Sequence, residues 1–141
     1  MKMKSIVLSV LVSGLSLQAF AGLTQPAPVT IDTENRFASG DMATARFSKN
    51  ASEAIGCGIR KVAVSDEEVI SFGFCQARVS EEDDGFVFCS TQNKELLDGI
   101  NSISSYSFIS FAWNEDGECT RIGNSTQSHY IPNFKRKKNK S

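Results

Sequence analysis

The sequence has one histidine and three prolines, and it contains no CxxC pair and no G-x-S-x-G motif. With one histidine and no closely spaced cysteines, the chain lacks the pattern of a zinc site or of a thioredoxin-like redox centre. The absence of a nucleophile motif removes the usual sequence evidence for a serine hydrolase. No run of about 20 apolar residues is present, so no transmembrane segment is predicted. No motif predicts a cofactor.

Residues 1–21 have the pattern of a secretory signal peptide. A lysine-rich start precedes an apolar segment, and the sequence Ala19-Phe20-Ala21 is a small-x-small cleavage site. We expect cleavage between Ala21 and Gly22, which predicts a periplasmic or extracellular protein. No cysteine follows that site directly, so a lipid-anchored lipoprotein is not predicted.

Charge is unevenly distributed along the chain. The 15 basic residues nearly balance the 16 acidic ones, but five of the basic residues stand together near the C-terminus. The acidic body argues against a nucleic-acid-binding surface. Residues 133–141 are predicted to form a disordered basic tail, whose charge favours weak, salt-screened contact with an anionic envelope surface. The side chains concerned are Lys135, Arg136, Lys137, Lys138 and Lys140.

Residues 41–132 are predicted to form a single disulfide-braced α+β domain. The preceding residues 22–40 are polar and interrupted by two prolines, which predicts an extended N-terminal segment with a short edge strand at 29–31. Residues 42–48 fit a strand or a short helix equally well, because their periodicity favours neither.

Two successive hairpins are predicted in the middle of the domain. Strands at 55–64, 69–79 and 86–89 are separated by acidic turns at 65–68 and 81–85. Side chains alternate across a strand, so small residues and cysteines fall on one face of these hairpins. The opposite face carries the aromatic side chains of Phe72, Phe74, Phe86 and Phe88.

Four cysteines predict two disulfides, as is usual for an even count in a small exported chain. Folding the two hairpins at their turns aligns Cys57, Cys75 and Cys89 across three adjacent strands. Only two of these can bond to each other, and the third would then bond to Cys119. The pairings 57–75 with 89–119 and 57–119 with 75–89 both stay open, and we favour the first. Directly opposite residues in antiparallel strands are close enough for a disulfide in either case.

One amphipathic helix is predicted over residues 91–103, with Asn93 as its N-cap. A further hairpin is predicted from residues 104–113 and 118–123, around an Asn-Glu-Asp-Gly turn. The predicted fold is therefore an antiparallel sheet of about five or six strands covered by one helix. We expect the helix to cover the aromatic face with an apolar stripe at helical spacing. That stripe consists of Leu96, Leu97, Ile100 and Ile103.

His129 and the acidic turns are the remaining candidates for chemistry. A Ser–His–Asp triad could be built around His129 on paper, but an ordinary surface or strand histidine is the favoured interpretation. The acidic runs at 66–68 and 81–84 lack the alternating spacing of a calcium-binding loop. We interpret them as solvated turns, and no metal site is predicted.

Three segments carry a resemblance to known proteins. They are Ile-Gly-Cys-Gly-Ile-Arg at 55–60, Phe-Gly-Phe-Cys-Gln-Ala at 72–77, and residues 107–127 around Trp-Asn-Glu-Asp-Gly-Glu-Cys-Thr-Arg-Ile-Gly. These segments resemble a family of small exported bacterial proteins of unknown function. The resemblance spans residues 53–132 and implies export and a shared cysteine framework, without implying an activity.

The sequence thus favours an exported, non-catalytic module that binds another protein, a glycan or the cell envelope. Small disulfide-braced domains with acidic loops are typical of such interaction scaffolds. The alternative is a small secreted hydrolase that uses His129.

Overall fold

The structure is a computed structural model, and it describes residues 22–132. This part of the chain forms seven strands and two α-helices. The strands are β1 (Thr30–Asp32), β2 (Phe37–Asp41), β3 (Ala54–Ala63), β4 (Val69–Arg78), β5 (Phe86–Thr91), β6 (Phe108–Trp113) and β7 (Cys119–Ser125). The helices are α1 (Met42–Arg46) and α2 (Lys94–Asn101), and short 3-10 turns lie at Asp83–Gly85 and Ser128–Tyr130.

The strands form two antiparallel sheets, one with the order β1-β2-β6-β7 and one with the order β3-β4-β5. The predicted α+β class, with antiparallel pairing and two disulfides, is therefore confirmed. The strands that we expected in one sheet are divided between two. Both predicted central hairpins are present and together make up the whole three-stranded sheet.

β2 is a strand that the sequence pattern did not reveal. It pairs with β1 on one side and with β6 on the other, and Ala38 within it is fully buried. Gly40 packs so closely on the incoming chain that a Cβ atom there would lie 2.9 Å from Val29 Cα. Residues 22–40 therefore contribute two strands to the sheet, and the expected boundary after residue 40 falls within β2.

Residues 42–46 adopt the helical alternative, because Asp41 caps α1. One carboxylate oxygen of Asp41 accepts a hydrogen bond from the Thr44 backbone N–H at 2.7 Å, and the other accepts one from the Ala27 N–H at 2.6 Å. Side-chain capping of this kind satisfies a backbone donor that the first turn leaves unpaired. The buried carboxylate thus fixes both the start of α1 and the path of the segment before β1.

The predicted helix forms as α2, with Asn93 as its N-cap. The Asn93 side chain accepts hydrogen bonds from Glu95 N–H at 3.0 Å and Leu96 N–H at 3.2 Å. The helix packs against β3 and β4 on one side and β7 on the other.

The expectation that α2 covers the aromatic side chains was wrong. The helix lies on the opposite, small-residue side of the sheet, where a Cβ atom at Gly73 would lie 2.5 Å from Ile100 Cδ1 and 2.9 Å from Leu97 Cδ2. Close packing of a helix on a sheet needs room above the backbone, which glycine and alanine leave and phenylalanine does not. The two phenylalanines of β5 are consequently exposed.

Both disulfides have the favoured pairing. Cys57–Cys75 joins β3 to β4, and Cys89–Cys119 joins β5 to β7. The second bond therefore links the two sheets. Cys75 and Cys89 are fully buried and belong to the same core cluster as Ile109 and Phe111 of β6.

Candidate binding surface: an exposed aromatic sheet face

The outward side of the three-stranded sheet carries six large apolar side chains. We call this surface the aromatic face, and it consists of Val62, Ile70, Phe72, Phe74, Phe86 and Phe88. Phe72 and Phe74 are half-buried, whereas the other four side chains are between 37% and 48% exposed. A monomeric protein rarely exposes a contiguous apolar patch of this kind unless it binds something.

The rings of the aromatic face are ordered by the strands beneath them. Phe74 and Phe88 stack with their ring centroids 5.9 Å apart. Phe74 also lies across Gly58 on the neighbouring strand, where a Cβ atom would lie 2.9 Å from Phe74 Cζ. The aromatic face is therefore formed in the free protein, which lowers the entropic cost of binding.

Two arginines lie over rings of the aromatic face. The guanidinium carbon of Arg60 is 5.0 Å from the centroid of Phe74, and that of Arg78 is 4.9 Å from the centroid of Phe86. Both distances are within the range of cation–π contacts. Arg78 also donates to Glu81 at 2.9 Å, whereas no ion pair of Arg60 occurs within residues 22–132.

The aromatic face extends onto a part of the β3–β4 hairpin that projects beyond β5. Pairing between β4 and β5 ends at Gly73 and Thr91, whereas β3 and β4 stay paired as far as Ala63 and Val69. Every residue from 60 to 70 is exposed. The tip is acidic, so this ribbon presents apolar side chains between a charged end and the body of the sheet.

A groove borders the aromatic face at the C-terminal end of β5, where the projecting ribbon begins. Its volume is about 470 Å³, and its walls include Phe72 and Phe88 together with the polar side chains of Ser90, Gln92 and Glu118. Hydroxyl, amide and carboxylate groups therefore stand at one margin of the face. Within the face, the exposed amide of Gln76 lies opposite Phe88.

His129 lies in a different region, in a cleft of about 330 Å³ that also contains Asp41, Thr44 and Ser48. The Asp41 carboxylate is occupied by the Ala27 and Thr44 donors. No hydrogen bond between the His129 imidazole and a hydroxyl or carboxylate is present in the described part of the chain. Nucleophilic catalysis needs a base within hydrogen-bond reach of the nucleophile. The cleft brings the candidate groups together but does not connect them as a triad.

A larger cleft of about 900 Å³ lies between α1 and the start of β3, with Arg46, Phe47 and Glu53 in its walls. Glu53 accepts a hydrogen bond from the Val29 N–H at 2.8 Å, so its carboxylate holds the N-terminal segment in place. Neither Arg46 nor Glu53 forms an ion pair within residues 22–132, so the two charged side chains of this cleft are not linked to each other.

Within residues 22–132 no three histidine, cysteine or acidic side chains are arranged to hold a metal ion.

The pKa of Asp32 is lowered below the ordinary value of 3.8, first by a hydrogen bond from the Asn35 side chain and then by one from the Asn35 backbone. Asp32 ends β1 in the four-stranded sheet, so this shift does not bear on the aromatic face.

No family model, curated protein or solved structure matches the chain. The resemblance to small exported bacterial proteins stays a prediction. The predicted signal peptide up to Ala21 and the predicted disordered tail from residue 133 lie outside the described residues. Within those residues no helix has the length and hydropathy needed to cross a bilayer.

Proposed function

We propose that the protein is an exported, non-catalytic module that binds a partner protein through the aromatic face. The observation that carries this proposal is the contiguous set of exposed apolar side chains beside Arg60 and Arg78. Aromatic residues and arginine are enriched in the centres of protein interfaces and dominate their binding energy.

The composition of the aromatic face favours a protein over a glycan. Val62 and Ile70 extend the phenylalanine surface with branched aliphatic side chains, which suit the apolar side chains of another protein. A sugar needs several hydrogen-bonding groups between the rings, whereas here Gln76 supplies one amide opposite Phe88 and the other hydroxyl and amide groups stand at the margin. Arg60 lies on the aromatic face of β3, so we expect the partner to place a carboxylate at that side of the interface.

Export is supported by the two disulfides and by the pattern of residues 1–21. Disulfides persist in oxidising compartments such as the periplasm or the extracellular space. The intact mass of the protein from these fractions tests this part of the proposal. A chain that begins at Gly22 and lacks four hydrogens is expected, whereas a chain with residues 1–21 retained or with free thiols would contradict export.

Site-specific photocrosslinking in cells that make the protein natively tests the binding surface. Benzoylphenylalanine replaces Phe88 on the aromatic face or, as a matched control, Phe47, which is 65% exposed beside α1. We expect a discrete protein adduct from position 88 and none from position 47. Mass spectrometry of the adduct then identifies the partner for purification.

Binding between the two purified proteins supplies the decisive measurement. Phe88→Thr removes an aromatic side chain but keeps a β-forming residue, and Phe47→Thr makes the same change elsewhere. We expect Phe88→Thr to raise the Kd by about 30-fold, the effect of an interface hot spot, and Phe47→Thr to leave it unchanged. Equal Kd values for Phe88→Thr and the unaltered protein would overturn the proposal. Binding of a purified envelope polysaccharide that is lost in Phe88→Thr would also overturn it, by assigning the surface to a glycan.

A further inference from the structure

The outer edge of β5 is less protected than the other three sheet edges of residues 22–132. Proteins usually protect edges with charged residues, short strands, proline or bulges. β1 has three residues, β3 carries Arg60 and Lys61, and β7 carries Arg121 and pairs with β6 across a register shift. β5 contains neither a charged residue nor proline, and its register with β4 is uninterrupted.

Backbone groups of Phe86 and Phe88 face outward along this edge. Ser90 N–H donates to Gly117 O at 3.0 Å, which places the outward-directed backbone groups at even-numbered residues of β5. Peptide groups alternate sides along a strand, so those of Phe86 and Phe88 point the same way. Among the described residues no strand pairs with β5 at these two positions. Two N–H groups and two carbonyl groups are thus available to an added strand.

Acidic residues flank this open edge at both ends. Glu82, Asp83 and Asp84 precede β5, and Asp116 and Glu118 lie in the turn that contacts Ser90; all five are exposed. The ion pairs of residues 22–132 are Arg36–Glu115 and Arg78–Glu81, so these five carboxylates have no cationic partner there. A segment lying along the edge would therefore place its two ends against negative charge.

We propose that an extended segment of the partner protein adds to β5 as a fourth strand of this sheet. The segment carries apolar side chains beside Phe86 and Phe88 and lysine or arginine at both ends. Strand addition of this kind combines main-chain hydrogen bonds with side-chain selection at alternate positions. This inference rests on the proposed function, because it specifies how the partner reaches the aromatic face.

A second copy of the chain fits the edge less well. Antiparallel pairing of two copies about Val87 would place Asp84 of one copy opposite Ser90 of the other, where Glu118 already forms a bridge. Like charges that meet across a strand pair are destabilising. A basic-ended segment meets no such conflict.

Synthetic peptides test the chemistry of the segment on the intact, oxidised protein. The first probe alternates valine and threonine between lysine pairs, the second replaces the lysines by glutamates, and the third replaces the central valine of the first by proline. In low salt we expect the lysine peptide to bind at least about tenfold more tightly than either control. Its binding should shift the amide resonances of Phe86 and Phe88 and slow their hydrogen exchange. Equal binding of all three peptides, or binding that leaves both amides unperturbed, would overturn the inference.

Two substitutions at position 88 separate this inference from the proposed function. Phe88→Thr removes the ring and keeps the outward N–H, whereas Phe88→Pro removes both without breaking the β4–β5 ladder. We expect Phe88→Pro to weaken binding of the lysine peptide and of the purified partner by roughly a further threefold to tenfold relative to Phe88→Thr. Equal loss in the two variants would reject strand addition and leave the proposed function standing. Failure of Phe88→Thr to weaken partner binding would reject the proposed function itself. A dimer that dissociates on Phe88→Pro would assign the edge to a second copy and overturn the inference.

Discussion

Gly73 and Ile100 are packed so closely that β4 has no room for a side chain between them. A Cβ atom at position 73 would lie 2.5 Å from Ile100 Cδ1, and Ile100 is itself 95% buried. This contact seats α2 on the small-residue side of the three-stranded sheet. It thereby leaves the aromatic face on the other side without a covering helix.

Gly73→Val is expected to destabilise the protein by about 1–3 kcal/mol, the usual cost of overpacking a core. The added methyl groups would displace Ile100 and Leu97 and lift α2 from the sheet. The matched control is Gly56→Val in β3, where a new Cβ atom would meet nothing within 4 Å. Urea unfolding measures both free energies. A Gly73→Val protein as stable as the Gly56→Val protein would contradict close packing of Ile100 and Leu97 on Gly73.

Removal of the Cys89–Cys119 disulfide by paired alanine substitutions is expected to cost about 3–4 kcal/mol. The bond closes a 30-residue separation and links the two sheets, so the unfolded chain gains considerable freedom without it. The control is paired alanine substitution of Cys57 and Cys75. The disulfide that it removes closes an 18-residue separation within one hairpin. Its strands stay hydrogen-bonded, so we expect a smaller loss in the same urea experiment. A larger loss in the control would mean that the inter-sheet link is not the more important bond.

Asp41→Ala is expected to lower the free energy of unfolding by about 2–4 kcal/mol. The substitution removes the cap of α1 and leaves the partly buried Ala27 and Thr44 N–H groups without their acceptor. Asp41→Asn keeps one acceptor oxygen and should cause a smaller loss. Thermal or urea unfolding of the two variants checks the order, and equal losses would show that the one acceptor oxygen kept by asparagine does not stabilise the fold, which would contradict this account of Asp41.

Local sequence patterns predicted much of the three-stranded sheet. The alternation of residues 69–79 and 86–89, with acidic turns between strands, was enough to place the four phenylalanines on one face. The N-cap at Asn93 and the helical spacing after it predicted α2. These features depend on residues close in sequence, which is why they can be derived without knowledge of the fold.

Sequence patterns did not predict β2 and did not decide between strand and helix at residues 42–46. β2 lacks the alternation of large apolar and polar side chains that predicts a strand. Its inward residues Ala38 and Gly40 are small because the neighbouring chain packs closely on them. The helix at residues 42–46 begins at the Asp41 N-cap, which accepts a hydrogen bond from Thr44 N–H and is a capping signal rather than a periodic one. Neither contact leaves a periodic signal in the sequence.

The sequence by itself determined the cysteine count, the alternation of the hairpins and the amphipathic helix, because each depends on local spacing. The tertiary structure decided which disulfide pairing forms and which side of the sheet the helix covers. Both of these depend on contacts between distant segments: Cys119 reaches β5 only through the inter-sheet contact, and Ile100 fits only above Gly73. The aromatic face is exposed because α2 packs on the other side of the three-stranded sheet. A helix needs small residues beneath it for close packing, so the side that carries the phenylalanines has no covering helix.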